Sequence, residues 1–165
     1  NHHELNKKNV VNLLKVHGSL DSFSDEKTNE SISIPLQQNI PNGFIPEIIT
    51  PGSDKYRAIL TSTSREILHN ADSLIDKACN FLCIGYGFND SQIQEKIITK
   101  IKTGTPIVVV TKSLTDNALD IINSNSGNYA VIMDGGENTT RFIINKTDIT
   151  LEGVYWTIDG FNEII

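Results

Sequence analysis

The spacing of apolar and polar residues changes texture near Pro51. Before it, apolar residues come in short, broken groups. Val10-Val11-Asn12-Leu13-Leu14-Lys15-Val16 is a β-branched and aliphatic run that reads as a strand, closed by a turn at His17-Gly18-Ser19. A polar stretch covers residues 21–29, and Ser31-Ile32-Ser33-Ile34 alternates as a short strand. Pro35, Pro41, Pro46 and Pro51-Gly52 break the rest into loops around Ile45 to Ile49, an excursion from the core.

After Pro51 the pattern becomes regular. Ser53 or Asp54 caps a long or broken helix on which Tyr56, Ile59, Leu60, Ile67, Leu68, Leu74, Ile75 and Ala78 recur at near-helical spacing. Phe81-Leu82-Cys83-Ile84-Gly85 has no alternation, which predicts a central strand covered on both faces in a parallel sheet. Asn89 or Asp90 then caps a helix with an Ile93, Ile97, Ile98 and Ile101 stripe, ended by Gly104. Pro106-Ile107-Val108-Val109-Val110-Thr111 is a second apolar strand, so residues 81–111 form a βαβ unit with an expected right-handed crossover. Leu114, Ala118, Ile121 and Ile122 mark another helix, with Ser113 as its cap, and Tyr129-Ala130-Val131-Ile132-Met133 another strand. From Asp134 the pattern predicts a hairpin or irregular β structure, with strands at residues 141–144 and 154–158. The expected fold class is α/β, a Rossmann-like three-layer fold with a mainly parallel sheet, incomplete on its N-terminal side. One domain is predicted: a strand-and-loop region at 1–50, the regular βαβ core at 51–133, and a β-rich closing segment at 134–165.

Composition narrows the partners. The 165 residues include 14 Lys and Arg against 20 Asp and Glu, a formal charge of −6, with 38% apolar and 21% charged residues. That is globular usage for one domain and rules out disordered, collagenous and fibrous chains. An acidic surface without a Lys/Arg block repels a phosphate backbone, which argues against nucleic acid and leaves open a local pocket for one small phosphate ligand. No run approaches the roughly 20 apolar residues of a membrane span, and no signal peptide opens the sequence, so a soluble, cytoplasmic protein is expected. A chain opening on Asn1 is expected to continue upstream. Cys79 and Cys83 lie in an apolar run as small buried hydrophobes, and two thiols cannot form a four-thiolate zinc site, so no zinc is expected.

In open α/β sheets ligands bind beyond the carboxyl ends of strands. Three clusters follow predicted strands and are expected to line one crevice: His17-Gly18-Ser19, Gly85-Tyr86-Gly87 and Thr111-Lys112-Ser113. His17 reads either as a base that removes a proton from a sugar hydroxyl near neutral pH or as a cap on the strand backbone. Gly85 and Gly87 offer close backbone approach to a dinucleotide ahead of a helix N-terminus, or else a tight structural turn. Asp90 stands where the common fingerprint has its third glycine, and its carboxylate competes with phosphate for the helix N–H groups. Lys112 reads as a partner for phosphate or a ribose-side acceptor, or as a solvated lysine at a helix start. His69 falls on the polar side of its helix.

Two runs suggest a family: Leu14-Lys15-Val16-His17-Gly18-Ser19, and Ile84-Gly85-Tyr86-Gly87-Phe88-Asn89-Asp90 followed by Ile107-Val108-Val109-Val110-Thr111. The chain resembles the C-terminal half of a sirtuin-like domain, and is most similar to the bacterial sirtuin-like proteins that hydrolyse NAD+ in antiphage defence. The similarity covers most of residues 10–111. By that resemblance His17 would be the active-site histidine, acting on a hydroxyl of the nicotinamide ribose. Gly18 and Ser19 would line the same site, Gly85, Tyr86 and Gly87 would lie against the ribose-phosphate portion, and Thr111 and Lys112 near the adenosine ribose. NAD+ would be the substrate, with NAD+ or ADP-ribose as ligand and a second copy or an effector protein as partner.

Three departures qualify the resemblance. The family's N-terminal Gly-Ala-Gly loop and its Asn-containing segment have no counterpart, so this chain alone is expected to be inactive. The Cys-x-x-Cys zinc module is absent, which makes protein deacylation a weaker reading than NAD+ cleavage. Gly87 stands where sirtuins more often carry serine. A non-catalytic module that senses NAD+ or ADP-ribose, or mediates assembly, is the reading from a different class. A half-domain with an uncovered sheet edge also predicts self-association or limited stability.

Overall fold

The computed structural model describes residues 11–36, 39–48, 62–124 and 128–165. Val10 and the predicted helix start at Ser53 or Asp54, with Tyr56, Ile59 and Leu60, lie outside them. The chain divides into two compact units, Asn1–Ser73 and Leu74–Ile165.

In the first unit, β1 (Gly18–Asp25), β2 (Ser31–Ser33) and β3 (Phe44–Ile48) form an antiparallel sheet in the order β2-β1-β3. The run expected as a strand at residues 11–16 is not one, and His17 therefore precedes a strand instead of ending one. β1 was hidden in the polar stretch: its sequence is GSLDSFSD, and Phe23 alone in it is buried. β3 contains Pro46, paired with Phe23, where proline punctuation predicted loops. An edge strand has one side free of ladder bonds, so the missing N–H of Pro46 is tolerated there. A bulge between Gly18 and Phe23 separates the two stretches of β1–β3 pairing.

The boundary between the units falls in α1 (Ser62–Lys77). Its last turn belongs to the second unit: Ile75 packs on the core, and Lys96 and Lys100 reach Asp76, the first to its carboxylate at 3.4 Å, the second to its carbonyl at 3.0 Å. Beyond it come β4 (Phe81–Ile84), α2 (Ser91–Lys102), β5 (Ile107–Thr111), α3 (Asp116–Asn123), β6 (Tyr129–Gly136), β7 (Thr139–Ile144), β8 (Thr147–Glu152) and α4 (Ile158–Asn162). One five-stranded sheet runs β4-β5-β6-β7-β8.

The expected mainly parallel, Rossmann-like three-layer sheet is overturned by this order. β4–β5 and β5–β6 are parallel, whereas β6–β7 and β7–β8 are antiparallel. The cause is local. Glu137 and Asn138 between β6 and β7, and Asn145 and Lys146 between β7 and β8, all have positive φ. Two consecutive left-handed residues make the tight turn that matches strand twist, and a two-residue link cannot return a chain parallel. One face of the sheet is covered by α2 and α3: Cys83, Ile107, Val109, Tyr129 and Val131 meet Ile97, Ile101, Ala118, Ile121 and Ile122. On the other face Val110, Ile132 and Phe142 are covered by Tyr155, Trp156 and Phe161 of the C-terminal segment, not by a second layer of crossover helices.

β4 is correspondingly an edge strand, not a central one, with Leu82 and Ile84 about half exposed at 52% and 48%. Residues 154–158, expected as a strand, are a turn and the first residue of α4, while β8, with all six residues exposed, was missed. The turn has a specific anchor in Thr140, which is fully buried. Its hydroxyl donates to the Gly153 carbonyl at 2.7 Å and accepts from the Tyr155 N–H at 2.8 Å, folding the aromatic pair back over the sheet. Cys83 is buried as expected, but Cys79 is exposed. Among the described residues, no helix is long and apolar enough to cross a membrane.

Candidate functional site

The βαβ segment places residues 85–90 at the carboxyl end of β4. Gly85 continues the ladder for one more bond, its N–H donating to the Val110 carbonyl at 2.9 Å, and then turns at φ 63°. A Cβ built on Gly85 would meet nothing within 4 Å, so glycine is required there by backbone conformation and not by crowding. Phe88 also has positive φ, at 55°, and its ring is completely buried in the core, 4.8 Å from the Tyr86 ring between centroids. An aromatic residue in the left-handed region costs about 1–2 kcal/mol. Its surroundings must therefore hold it there.

Those surroundings are the first turn of α3. The Thr115 hydroxyl donates to the Gly87 carbonyl at 2.9 Å. Asn117 Nδ2 donates to the Phe88 carbonyl and lies 3.4 Å from Asn89 Oδ1. Gly87 is packed closely enough that a Cβ would come within 3.1 Å of Asn89 Nδ2 and 3.4 Å of the Thr115 methyl. Thr115 also accepts from the Ala118 N–H at 3.1 Å and so caps α3, two residues beyond the expected Ser113. Of the two expected caps of α2, Asp90 provides the first helical acceptor, its carbonyl receiving the Gln94 N–H at 2.8 Å.

The Tyr86 hydroxyl is buried and, within the described structure, has no hydrogen-bond partner. Burial, with the Asp90 and Cys83 charges adding to it, pushes this phenol up to about 12, so it remains a neutral donor. An unsatisfied buried hydroxyl costs roughly 1–3 kcal/mol. Tyr86→Phe is accordingly expected to raise the stability of the ligand-free chain by about 1 kcal/mol in denaturant unfolding; a loss of stability would show that the hydroxyl already has a partner.

Thr111 and Lys112 sit beside this loop at the end of β5. The Thr111 hydroxyl donates to the Ser113 carbonyl at 3.0 Å, and the Lys112 carbonyl accepts from the Asp134 N–H at 3.3 Å. The Lys112 side chain is exposed. Gly85, Tyr86, Gly87, Thr111 and Lys112 are thus brought together at one end of the parallel strands. Thr115 and Asn117, which hold the loop, were not among the expected site residues. The Thr-Asp-Asn run at 115–117, three helix-capping residue types in a row one turn before Ile121, was the signal for them.

His17, Gly18 and Ser19 belong to the first unit. His17 is half-buried with Nδ1 shielded from solvent, in the turn closed by the Gly18 N–H to the Lys15 carbonyl at 2.9 Å. Gly18 serves close backbone approach, though to the protein itself: a Cβ would fall 1.6 Å from the Glu47 carbonyl oxygen. Ser19 enters a polar cluster. Its hydroxyl donates to Asp21, shares a 2.8 Å bond with the Ser22 hydroxyl, and accepts from Lys15 Nζ at 3.2 Å. Ser33 donates to the other Asp21 oxygen at 3.1 Å. These donors, Ser19 first, then Ser33 and Lys15, hold the Asp21 carboxyl at about 2, against an ordinary 3.8.

A depressed carboxylate stabilises the fold above its unfolded value and loses that contribution as pH falls through the folded one. The stabilisation supplied by the Asp21 cluster is therefore expected to be full above pH 3.8 and to be lost as pH falls from there through about 2. Carboxyl-carbon NMR should place the Asp21 midpoint near the lower figure, and Ser33→Ala should raise it; an ordinary midpoint in the parent chain would refute the cluster.

No protein-family model, no curated protein and no solved structure matches the chain.

Proposed function

We propose that the chain is the NAD+-binding portion of a sirtuin-like NAD+ glycohydrolase, in which Leu74–Ile165 takes the nucleotide at the carboxyl ends of β4 and β5. The observation that carries this reading is the Gly85–Tyr86–Gly87 loop. It leaves an uncrowded backbone at Gly85 and a neutral Tyr86 hydroxyl without a partner, in the loop that follows β4 at the end of the sheet where β5 also ends in Thr111 and Lys112 and where parallel strands place their ligands. A ribose or phosphate oxygen is a fitting acceptor for such a donor. In the proposed reaction C1′ of the nicotinamide ribose gains oxocarbenium character, nicotinamide leaves with the electrons of the C–N bond, and water adds to give ADP-ribose and a proton. His17 would be the base by its resemblance to the family's histidine.

A second reading, a non-catalytic module that senses NAD+ or ADP-ribose, is favoured by one specific finding: His17 stands in a turn ahead of β1 and not at the carboxyl end of a strand. NAD+ consumption by the whole protein, with chromatography of nicotinamide and ADP-ribose, separates the two. Release that needs no acylated peptide and disappears in His17→Ala is the expected result. Binding of ADP-ribose without release would establish the sensor, and release undiminished in His17→Ala would remove that residue from the mechanism.

A further inference from the structure

We infer that Thr115 and Asn117, at the start of α3, are positioning residues that set the nucleotide loop in its binding conformation; this rests on the nucleotide reading above. The loop's conformation is not one that its own sequence favours. Phe88 is a bulky residue at φ 55°, and its burial alone fixes the ring, not the direction of the backbone carbonyls on either side. Those carbonyls are the groups that α3 holds: Gly87 through the Thr115 hydroxyl, and Phe88 through the Asn117 amide, which also approaches the Asn89 side chain. Both clamps come from the start of α3, the element that follows β5, whose last residue, Thr111, and its successor Lys112 belong to the same end of the sheet. The two loops that flank the proposed ligand are therefore fixed to each other by three side-chain bonds, and a ligand held between them meets a preformed surface. A loop that must be ordered on binding loses affinity by the cost of that ordering.

Thr115 has two separable tasks, which makes the inference testable. Its oxygen accepts from Ala118 N–H as the helix cap, and its hydroxyl proton goes to Gly87. Aspartate preserves the first task and abolishes the second, whereas serine preserves both. Calorimetric titration of the full chain with ADP-ribose is expected to give wild-type affinity for Thr115→Ser. Thr115→Asp and Asn117→Asp should bind about tenfold more weakly, the worth of one lost hydrogen bond, with unfolding midpoints close to the parent's. Equal affinity in all the variants, with the parent binding, would overturn the inference and leave the nucleotide reading intact. Weakening that appears equally in Thr115→Ser would also overturn it, since the hydroxyl donor would then be irrelevant. Failure of the parent chain itself to bind ADP-ribose would overturn the nucleotide reading, and the inference with it.

Discussion

Gly18→Ala is expected to destabilise the antiparallel sheet of the first unit by about 3 kcal/mol or more, enough to unfold much of it in mild denaturant. Two independent causes add. The residue has φ 74°, where any Cβ is strained, and that Cβ would lie 1.6 Å from the Glu47 carbonyl oxygen and 2.7 Å from its carbon. Neither atom is a flexible side-chain end; both belong to β3, whose Ile48 pairs with Gly18. Relief requires parting β1 from β3 at the bulge. Gly43 supplies the control, because it has φ 91° and nothing within 4 Å of a built Cβ. Gly43→Ala should cost only the conformational term, about 1 kcal/mol. Urea unfolding of the two variants beside the parent measures the difference, and equal losses would show that crowding at Gly18 is not what requires glycine. The family resemblance would give this glycine a ligand; the geometry gives it a neighbouring strand. Loss of any activity in Gly18→Ala must therefore be read together with its loss of fold.

What the sequence revealed and what it concealed divide along physical lines. The βαβ segment was legible because β4, α2 and β5 differ sharply in apolar period, and because Gly104, with φ 98°, ends α2 where a helix-terminating glycine belongs. The first unit was not legible, because a strand such as Gly18–Asp25 buries one phenylalanine, exposes Leu20 and leaves its serines and aspartates half-buried, so the periodic signal that identifies strands is nearly absent. Continuous apolarity was also ambiguous. In β5, Ile107, Val109 and Val110 are all buried, as a two-faced strand requires, whereas Phe81-Leu82-Cys83-Ile84 has the same texture at an exposed edge. Local composition reports what a strand could tolerate on both faces, not whether anything covers them. A hairpin was among the expectations from Asp134 onward, but its turns at Glu137-Asn138 and Asn145-Lys146 contain only asparagine as a strong left-handed former, so the sequence did not place them or add β8 to the sheet. In the candidate site, glycines and strand ends drew attention to the loop, but the side chains that hold it come from α3, nearly 30 residues along the chain, at 115 and 117. A clamp made by tertiary contact leaves no local period to detect.

Phe88→Ala is expected to cost about 3–5 kcal/mol, since the ring is fully buried between Tyr86 and the helix-covered core and its removal leaves a cavity. The backbone at this position makes a sharper expectation possible. Alanine keeps the left-handed strain at φ 55°, whereas glycine removes it while creating the same cavity. Phe88→Gly should therefore be more stable than Phe88→Ala by about 1 kcal/mol, the reverse of the order that unfolded-state entropy alone would produce. Paired denaturant curves measure this directly. If alanine proves the more stable of the two, Phe88 is not held left-handed in solution, and the carbonyls of Gly87 and Phe88 do not point to Thr115 and Asn117. In that case the loop would lack the preformed backbone on which the positioning role of Thr115 and Asn117 depends.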